Sequence, residues 1–491
     1  MPLSKAHLTL PVVALVLAFA PAANAATRLV APAGSDSGDC HVIPCKSFGY
    51  AYDHAASGDV IEIAPGLYES QEVSAGTKAV TFKGLPGNKV RQLLNHASNV
   101  TYDGLDIDAG FTTPNGAAFE NHTEPGGVNV TFKNGRVGNV KDQKGALFGG
   151  WMSTASQHLV IDNVVFHDVL HTSDGVHNEC IFSQSPGLTI RNSSFRNCAT
   201  MDVSLNRGDW WGQPAYGGVT LENNVFGHSI METTGWHHYG VAWFIGKVEN
   251  VRVVNNTFEN AVLTDDVNIG PGPYSGVWAN NIGGGWECLR GITFRNNVGK
   301  KCHASDRAVS PASACGPPIC SSVRMIPVGF LNPAAGDFRI QAGSPAIDWG
   351  TSSYAPLRDK LGRIRGSSPD AGAYEFNPSD KAPANPAPRR LRIKSARLRP
   401  AVICRVPRTG CPASAKLRVR VSRRAHVAVT IQRAPRGKRP SQLRRMGVRT
   451  GRKVAARLNA RSLHAGRYRL RIVAKAGGLR SKAKFVRLTV R

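Results

Sequence analysis

The 491-residue sequence predicts an all-β chain: a right-handed parallel β-helix with an N-terminal cap, followed by a small basic β-sandwich. Three observations predict it. One short phrase, an alternating apolar strand closed by Asn or Gly, returns along residues 60–300. The positive charge is confined to one end. That end itself alternates apolar and polar residues at the period of a strand.

The first element is MPLSKAHLTLPVVALVLAFAPAANA, residues 1–25. Lys5, an apolar run from Leu8 to Ala20, and small Ala23 and Ala25 before a cut read as a secretory signal peptide. The run is short for a membrane span, and no later segment reaches the ~20 consecutive apolar residues that a span needs. A secreted or extracellular location is therefore expected, with attachment to a cell surface allowed.

Residues 26–376 form the predicted β-helix. The recurring phrases are VIEIAPG, VTFKGLPGN, VTYDGLDID, VTFKNGRV, LVIDNVVF, LTIRNSSF, VTLENNVF, VRVVNNTF and ITFRNNVG. Their first apolar residues stand at 60, 80, 100, 130, 159, 188, 219, 251 and 292, and the long last step is expected to hide one more coil near GVWANNIGG. Each phrase supplies inward residues at alternate positions, then an Asn or Gly where the backbone must take positive φ. None could bury its apolar face alone, so coils stacked one rung every ~4.8 Å are expected to share a core.

Ten cysteines occur as near neighbours: Cys40 with Cys45, Cys180 with Cys198, Cys288 with Cys302, Cys315 with Cys320, and Cys404 with Cys411. In an exported chain the even number supports disulfides, and local pairing is the expectation. Zinc is the competing use, disfavoured because no second His or Cys pair follows at finger-like spacing.

The stretch HTSDGVHNEC, residues 171–180, crowds titratable side chains. Parity in VHNECIF places Val176, Cys180 and Phe182 inward and His177 and Glu179 outward. Parity in MDVSLN places Met201, Val203 and Leu205 inward and Asp202 and Ser204 outward. Direct stacking of NECIFS on MDVSLN would set Glu179 and Asp202 in one ladder, about 4.8 Å apart. Two carboxylates that close share a proton or a cation. The spacing suits a glycosidase carboxylate pair, or Ca²⁺ held by Glu179 and Asp202. No cofactor is otherwise expected. A Cys180–Cys198 disulfide conflicts with this register, so one of the two expectations must fail. The plain alternative is a polar turn shaped by Asp174 and Gly175, with His177 and Glu179 merely solvated.

Aromatic residues gather beside the same coils. GDWWGQPAYGG carries Trp210, Trp211 and Tyr216, and GWHHYGVAW carries Trp236, His237, His238 and Tyr239. As exposed rings they would stack on sugars; as packed rings, Trp243 above all, they would seal the loops. Arg207 is the candidate base for an eliminative reaction, although a guanidinium needs strong perturbation to act so. Asp265 and Asp266 form a weaker acidic pair.

NPSDKAPANPAPRR introduces a Pro- and Ala-rich linker, residues 377–390. From Arg389 onward there are 33 Lys or Arg and no Asp or Glu, against 28 basic and 33 acidic residues before it. Residues 391–491 are not a disordered tail, because KLRVRVS, HVAVTIQ, RYRLRIV and KFVRLTVR have strand periodicity. Leu417, Val419, Val421, Val427, Val429, Ile431, Tyr468, Leu470 and Ile472 are the expected inner face. An anionic cell-surface polymer is the expected partner of this module. Nucleic acid is disfavoured by export and by the lack of a recognised motif.

These phrases resemble the pectate-lyase-like parallel β-helix proteins. The entry LVAPAGSDSGDCHVIPCKSFGYAYDHAASGDVIEIAPGLYES looks like their cap and first coil, where a short helix closes the core. GDFRIQAGSPAIDWG and DKLGRIRGSSPDAGAYEF resemble a choice-of-anchor C-terminal segment. The basic end resembles Arg-rich immunoglobulin-like modules of secreted actinobacterial proteins. The resemblance implies an extracellular polysaccharide as partner and leaves lyase, glycoside hydrolase and plain binder open, because such scaffolds host all three. A non-catalytic surface protein using the β-helix as a rigid spacer is the alternative.

Overall fold

The protein is described from a computed structural model. It describes residues 25–111, 116–122, 127–141, 145–149, 157–170, 178–184, 186–206, 216–227, 239–244, 248–259, 262–263, 274–283, 286, 288–299, 302–308, 328–380, 391–434, 441–476 and 479–491. They form two compact units. Residues 348–374 belong with the repeating coils in the first, and residues 328–347 group with 375–491 in the second.

The first unit is a parallel β-helix. Its first sheet runs through Thr27–Val30, Val60–Ile63, Thr81–Gly84, Thr101–Asp103, Thr131–Lys133, Leu159–Asp162, Leu188–Arg191, Thr220–Glu222, Val248–Val254, Tyr274–Ala279 and Ile292–Arg295. Tyr274–Ala279 fills the long step before residue 292, pairing in parallel with the strands on both sides. Among the described residues the second sheet has 17 strands and bends once in most coils, as between Ser194–Cys198 and Met201–Asn206.

Apolar side chains inside the coils stack by register. Phe166, Phe195, Phe226 and Phe258 face one another in successive strands, with ring centroids 4.9, 5.0 and 4.7 Å apart and nearly parallel planes. All four are essentially inaccessible to solvent. Each successive pair therefore exchanges water for a stacked aromatic contact, worth about 0.5–1.5 kcal/mol per pair beyond burial. At the open lower end, helix Phe48–His54 is capped by Ser47, whose side chain accepts from the Tyr50 N–H. It lays Phe48 and Tyr52 over Phe82 and closes the core.

The Asn-Asn dipeptides explain the turns. The first Asn of each pair takes the left-handed conformation, as at Asn223 (φ 54°), Asn255 (52°), Asn280 (57°) and Asn296 (51°). Asn tolerates it best after Gly. The second turns inward: Asn224 Nδ2 donates to Asn256 Oδ1 at 3.0 Å, Asn256 to Asn281 at 3.1 Å, Asn281 to Asn297 at 3.1 Å, and Asn297 to Asp306 Oδ1 at 3.1 Å. Residues 348–374 lie along the outer ladder, where Asn223, Asn255, Asn280 and Asn296 donate to the carbonyls of Arg358, Asp370, Thr351 and Trp349.

Four of the expected disulfides are present: Cys40–Cys45, Cys180–Cys198, Cys288–Cys302 and Cys404–Cys411. Cys315 and Cys320 lie outside the described residues. No helix among the described residues is long and apolar enough to cross a membrane.

In the second unit, Ile393–Arg399, Ser414–Arg433, Ser441–Asn459, Gly466–Ala476 and Lys484–Val490 pair antiparallel, and short strands Val402–Ile403 and Leu479–Arg480 are added at the margins. The strands join in one continuous sheet of seven rather than the two separate layers of the expected sandwich. The reason is strand length: Ser414–Arg433 passes through both halves, with a register shift between Arg420 and Ala425 that lets it bend. All nine residues expected on the inner face are buried in its core.

Candidate functional site

The outer surface of the second sheet is where the chemistry-bearing side chains collect. Ile181 pairs with Val203 and Phe182 with Ser204, and the Cys180 N–H donates to the Met201 carbonyl at 3.0 Å. That register sets Cys180, not Glu179, across from Asp202. The expected Glu179–Asp202 ladder is therefore one residue out, and the disulfide to Cys198 prevails. A one-residue slip exchanges the two faces of a strand. Ile181 accordingly enters the core, while Phe182, expected inward, stacks on Phe148 in a separate cluster with centroids 5.5 Å apart. In MDVSLN the expected parity places Val203 and Leu205 correctly in the core.

Glu179 and Asp202 were expected to face solvent, and both are instead buried, at 3% and 0% exposure. The physical reason for Glu179 is its position before the strand, at the disulfide-bonded corner. Burial, with Glu259 acting on it as a second negative group, pushes the Asp202 carboxyl well above the usual carboxylate range. Asp202 is thus biased toward its protonated form. His177, Arg207, Trp210, Trp211, Trp236, His237 and His238 lie outside the described residues. So do Asp265 and Asp266. Tyr216 and Tyr239 begin the short strands Tyr216–Gly217 and Tyr239–Phe244. Met201 pairs with Tyr239, so the strand Tyr239–Phe244 lies directly beside MDVSLN. Among the described residues no group of three or more His, Cys, Asp or Glu side chains is arranged to hold a metal ion, so the Ca²⁺ expectation rests on Glu179 and Asp202 alone.

The structure brings together a second group that sequence reasoning passed over. Glu72, Leu94 and Glu120 occupy one column across three successive strands. His96 and His122 follow two residues after Leu94 and Glu120, so they share the outer face. Their rings stack with centroids 4.6 Å apart. Glu120 Oε1 accepts the Ala117 N–H at 2.7 Å, and Oε2 lies 2.9 Å from His122 Nε2. Glu72 stands 3.4 Å from His96 Nε2. A Cβ on Gly116 (φ 109°) would lie 1.8 Å from Glu120 Oε1, so glycine is required for this approach. Burial, then the neighbouring His122, lowers the His96 pKa below its ordinary value, against the opposite pull of Glu72 and Glu120.

Glu120 is buried while the His122 side chain keeps 26% of its surface. A carboxylate fixed through both oxygens orients the ring, and with Nε2–H donated to Glu120, Nδ1 is the nitrogen left to accept a proton. The signal was present in the sequence as the dipeptide Asn-His, at 95–96 and again one coil later at 121–122. In both, Asn points inward, with Asn95 Nδ2 donating to Asn121 Oδ1 at 2.7 Å, and His points out.

No protein family and no curated protein matches the chain. Among solved structures, it is similar to the crystal structure of a pectate lyase at 16% identity and a TM-score of 0.37, over 72% of this chain and 96% of that chain.

Proposed function

We propose that the protein is an extracellular β-helix protein that binds a polysaccharide along the outer face of its second sheet and cleaves it there. The observation that carries the reading is the Glu120–His122 pair: a buried carboxylate 2.9 Å from a partly exposed imidazole, with His96 stacked beside it. In this reading His122 takes or gives the proton, Glu120 holds its tautomer, and Glu72 and His96 line the neighbouring rung. Successive rungs at ~4.8 Å make a long straight face, which suits a linear polymer. Disulfides fit an oxidising extracellular compartment. His177, Glu179, Asp202 and Arg207 remain proposed contributors, with Asp202 as an acid and the aromatic residues Trp210, Trp211, Tyr216, Trp236, His237, His238 and Tyr239 as proposed sugar-stacking groups. The basic second unit serves, in the same proposal, to attach the protein to an anionic surface polymer.

A second reading is a non-catalytic surface protein with the β-helix as a spacer. It is favoured by one observation, the near-complete burial of Glu179 and Asp202. The deciding experiment exposes the purified protein to a panel of neutral and uronic-acid polysaccharides, following unsaturated-product absorbance and new reducing ends, with His122→Ala alongside. Product from the parent and not from the variant supports the first reading. Binding without product supports the second, and neither binding nor product on any glycan overturns both.

A further inference from the structure

Three neighbouring strands of the second unit, Ile393–Arg399, Ser414–Arg433 and Ser441–Asn459, align their solvent-facing residues in three rows. Ser395, Arg420 and Lys453 form one row, Arg397, Arg418 and Ala455 the next, and Arg399, Lys416 and Arg457 the third. Seven of the nine positions are cations, and every one of those cations is exposed. The rows between them are buried and apolar, through Val419, Val454, Leu398 and Leu417, so the pleat pins the grid to one face. Neighbours across strands are ~4.8 Å apart and rows roughly 7 Å apart.

Like charges directly opposite one another on a sheet destabilise it, and residues 389–491 contain no Asp or Glu to offset them. We infer that this three-stranded face is the docking surface of the module and that its occupant is a linear polymer bearing phosphate groups. The inference rests on the proposed anchoring role and identifies its surface and ligand class. A phosphate offers oxygens on several sides and can be shared by cations on adjacent strands. A carboxylate offers two coplanar oxygens and is filled by one guanidinium fork. The nine grid positions contain no exposed large apolar side chain, so the face lacks an anchor for a lipid bilayer.

The test uses the full chain and two probes, soluble inorganic polyphosphate and polygalacturonate, titrated over a salt series. One variant replaces grid residues, Arg397→Gln, Arg399→Gln, Arg418→Gln and Arg420→Gln. A control of equal charge change replaces exposed cations elsewhere in the module, Arg405→Gln, Arg408→Gln, Arg461→Gln and Lys482→Gln. The grid variant is expected to lose at least about tenfold in polyphosphate affinity, with a salt slope shallower by roughly three. It should also unfold at higher temperature than the parent, because repulsion has been removed; this readout shows that it is folded. The control should lose under about threefold. Equal losses in both variants overturn the docking face while leaving the anchoring role standing. Tighter binding of polygalacturonate than of polyphosphate overturns the phosphate assignment. A parent that binds neither probe at low salt overturns the anchor and the face together.

Discussion

Replacing Asn256 with Ala tests the internal Asn ladder directly. Asn256 Oδ1 accepts the Asn224 N–H at 2.9 Å and the Asn224 Nδ2 at 3.0 Å, and its Nδ2 donates to Leu221 O at 2.8 Å, Val254 O at 3.1 Å and Asn281 Oδ1 at 3.1 Å. Two of the neighbours keep a bond after the change: Asn224 Nδ2 still reaches Ile190 O at 2.7 Å, and Asn281 Oδ1 still accepts the Asn256 N–H at 2.9 Å. The Asn224 N–H does not. It becomes a buried donor with its acceptor removed, at about 1–3 kcal/mol, and two carbonyls each lose one donor. The expected destabilisation is roughly 2–4 kcal/mol in total. Asn163→Gly is the matched control, since exposed Asn163 makes one ladder bond, to Asn134 at 2.9 Å, and holds φ 54°. Glycine relieves that backbone cost, so the net change should stay within about 1 kcal/mol. All eight tryptophans precede residue 350, so fluorescence-detected urea unfolding reports the β-helix unit selectively. A loss below about 1 kcal/mol for Asn256→Ala, or an equal loss for Asn163→Gly, would refute the view that the inner ladder carries stability and the outer one mainly carries turn geometry.

Three further expectations concern the candidate site and residues 348–374. If His122 transfers the proton, His122→Ala should lower turnover by ~10² to 10⁴-fold, and Glu120→Gln should lower it less while displacing the pH profile, both read from initial rates on the cleaved glycan. Unchanged rates in both would remove the pair from the mechanism. For Asp202 the folded pKa is raised, so its contribution to stability is present below the unfolded value near 4 and is lost as pH rises toward the folded value. Asp202→Asn, which mimics the protonated form, should therefore match or exceed the parent in stability at pH 7, and a clear loss in thermal unfolding would contradict the assignment. Lys360 hydrogen-bonds the Asn192 carbonyl, and burial lowers its pKa to about 7. A lowered amine favours folding at high pH, and that advantage is lost as pH falls from about 10.5 to about 7. Lys360→Met should flatten the parent's stability rise across that window. Parallel curves for the two proteins would show that Lys360 is not the group responsible.

The fold was legible in the sequence because its signals are local. The alternation in LTIR and LVID specifies a strand face, and Asn in NNVF and NNTF marks where the backbone passes through positive φ. The basic strands likewise declare their inner residues by parity, from Leu417 to Ile472. The candidate site was legible only in part, because it depends on register between strands 20–30 residues apart. The Cys180–Cys198 disulfide constrains the corner before Ile181–Ser183, where Glu179 is buried, and one residue of slip turned Phe182 against its expected face. Parity inside one strand could not reveal that. Nor could it reveal that Glu120, His122, His96 and Glu72 meet, since their contact arises from the stacking of three coils and the small Gly116 beside them. What the sequence by itself determined was the strand period, the turn residues and the segregation of charge, all set by neighbours along the chain. What only the tertiary structure decided was which side chains oppose one another and how deeply they are buried, because lateral register and burial belong to the packed coils.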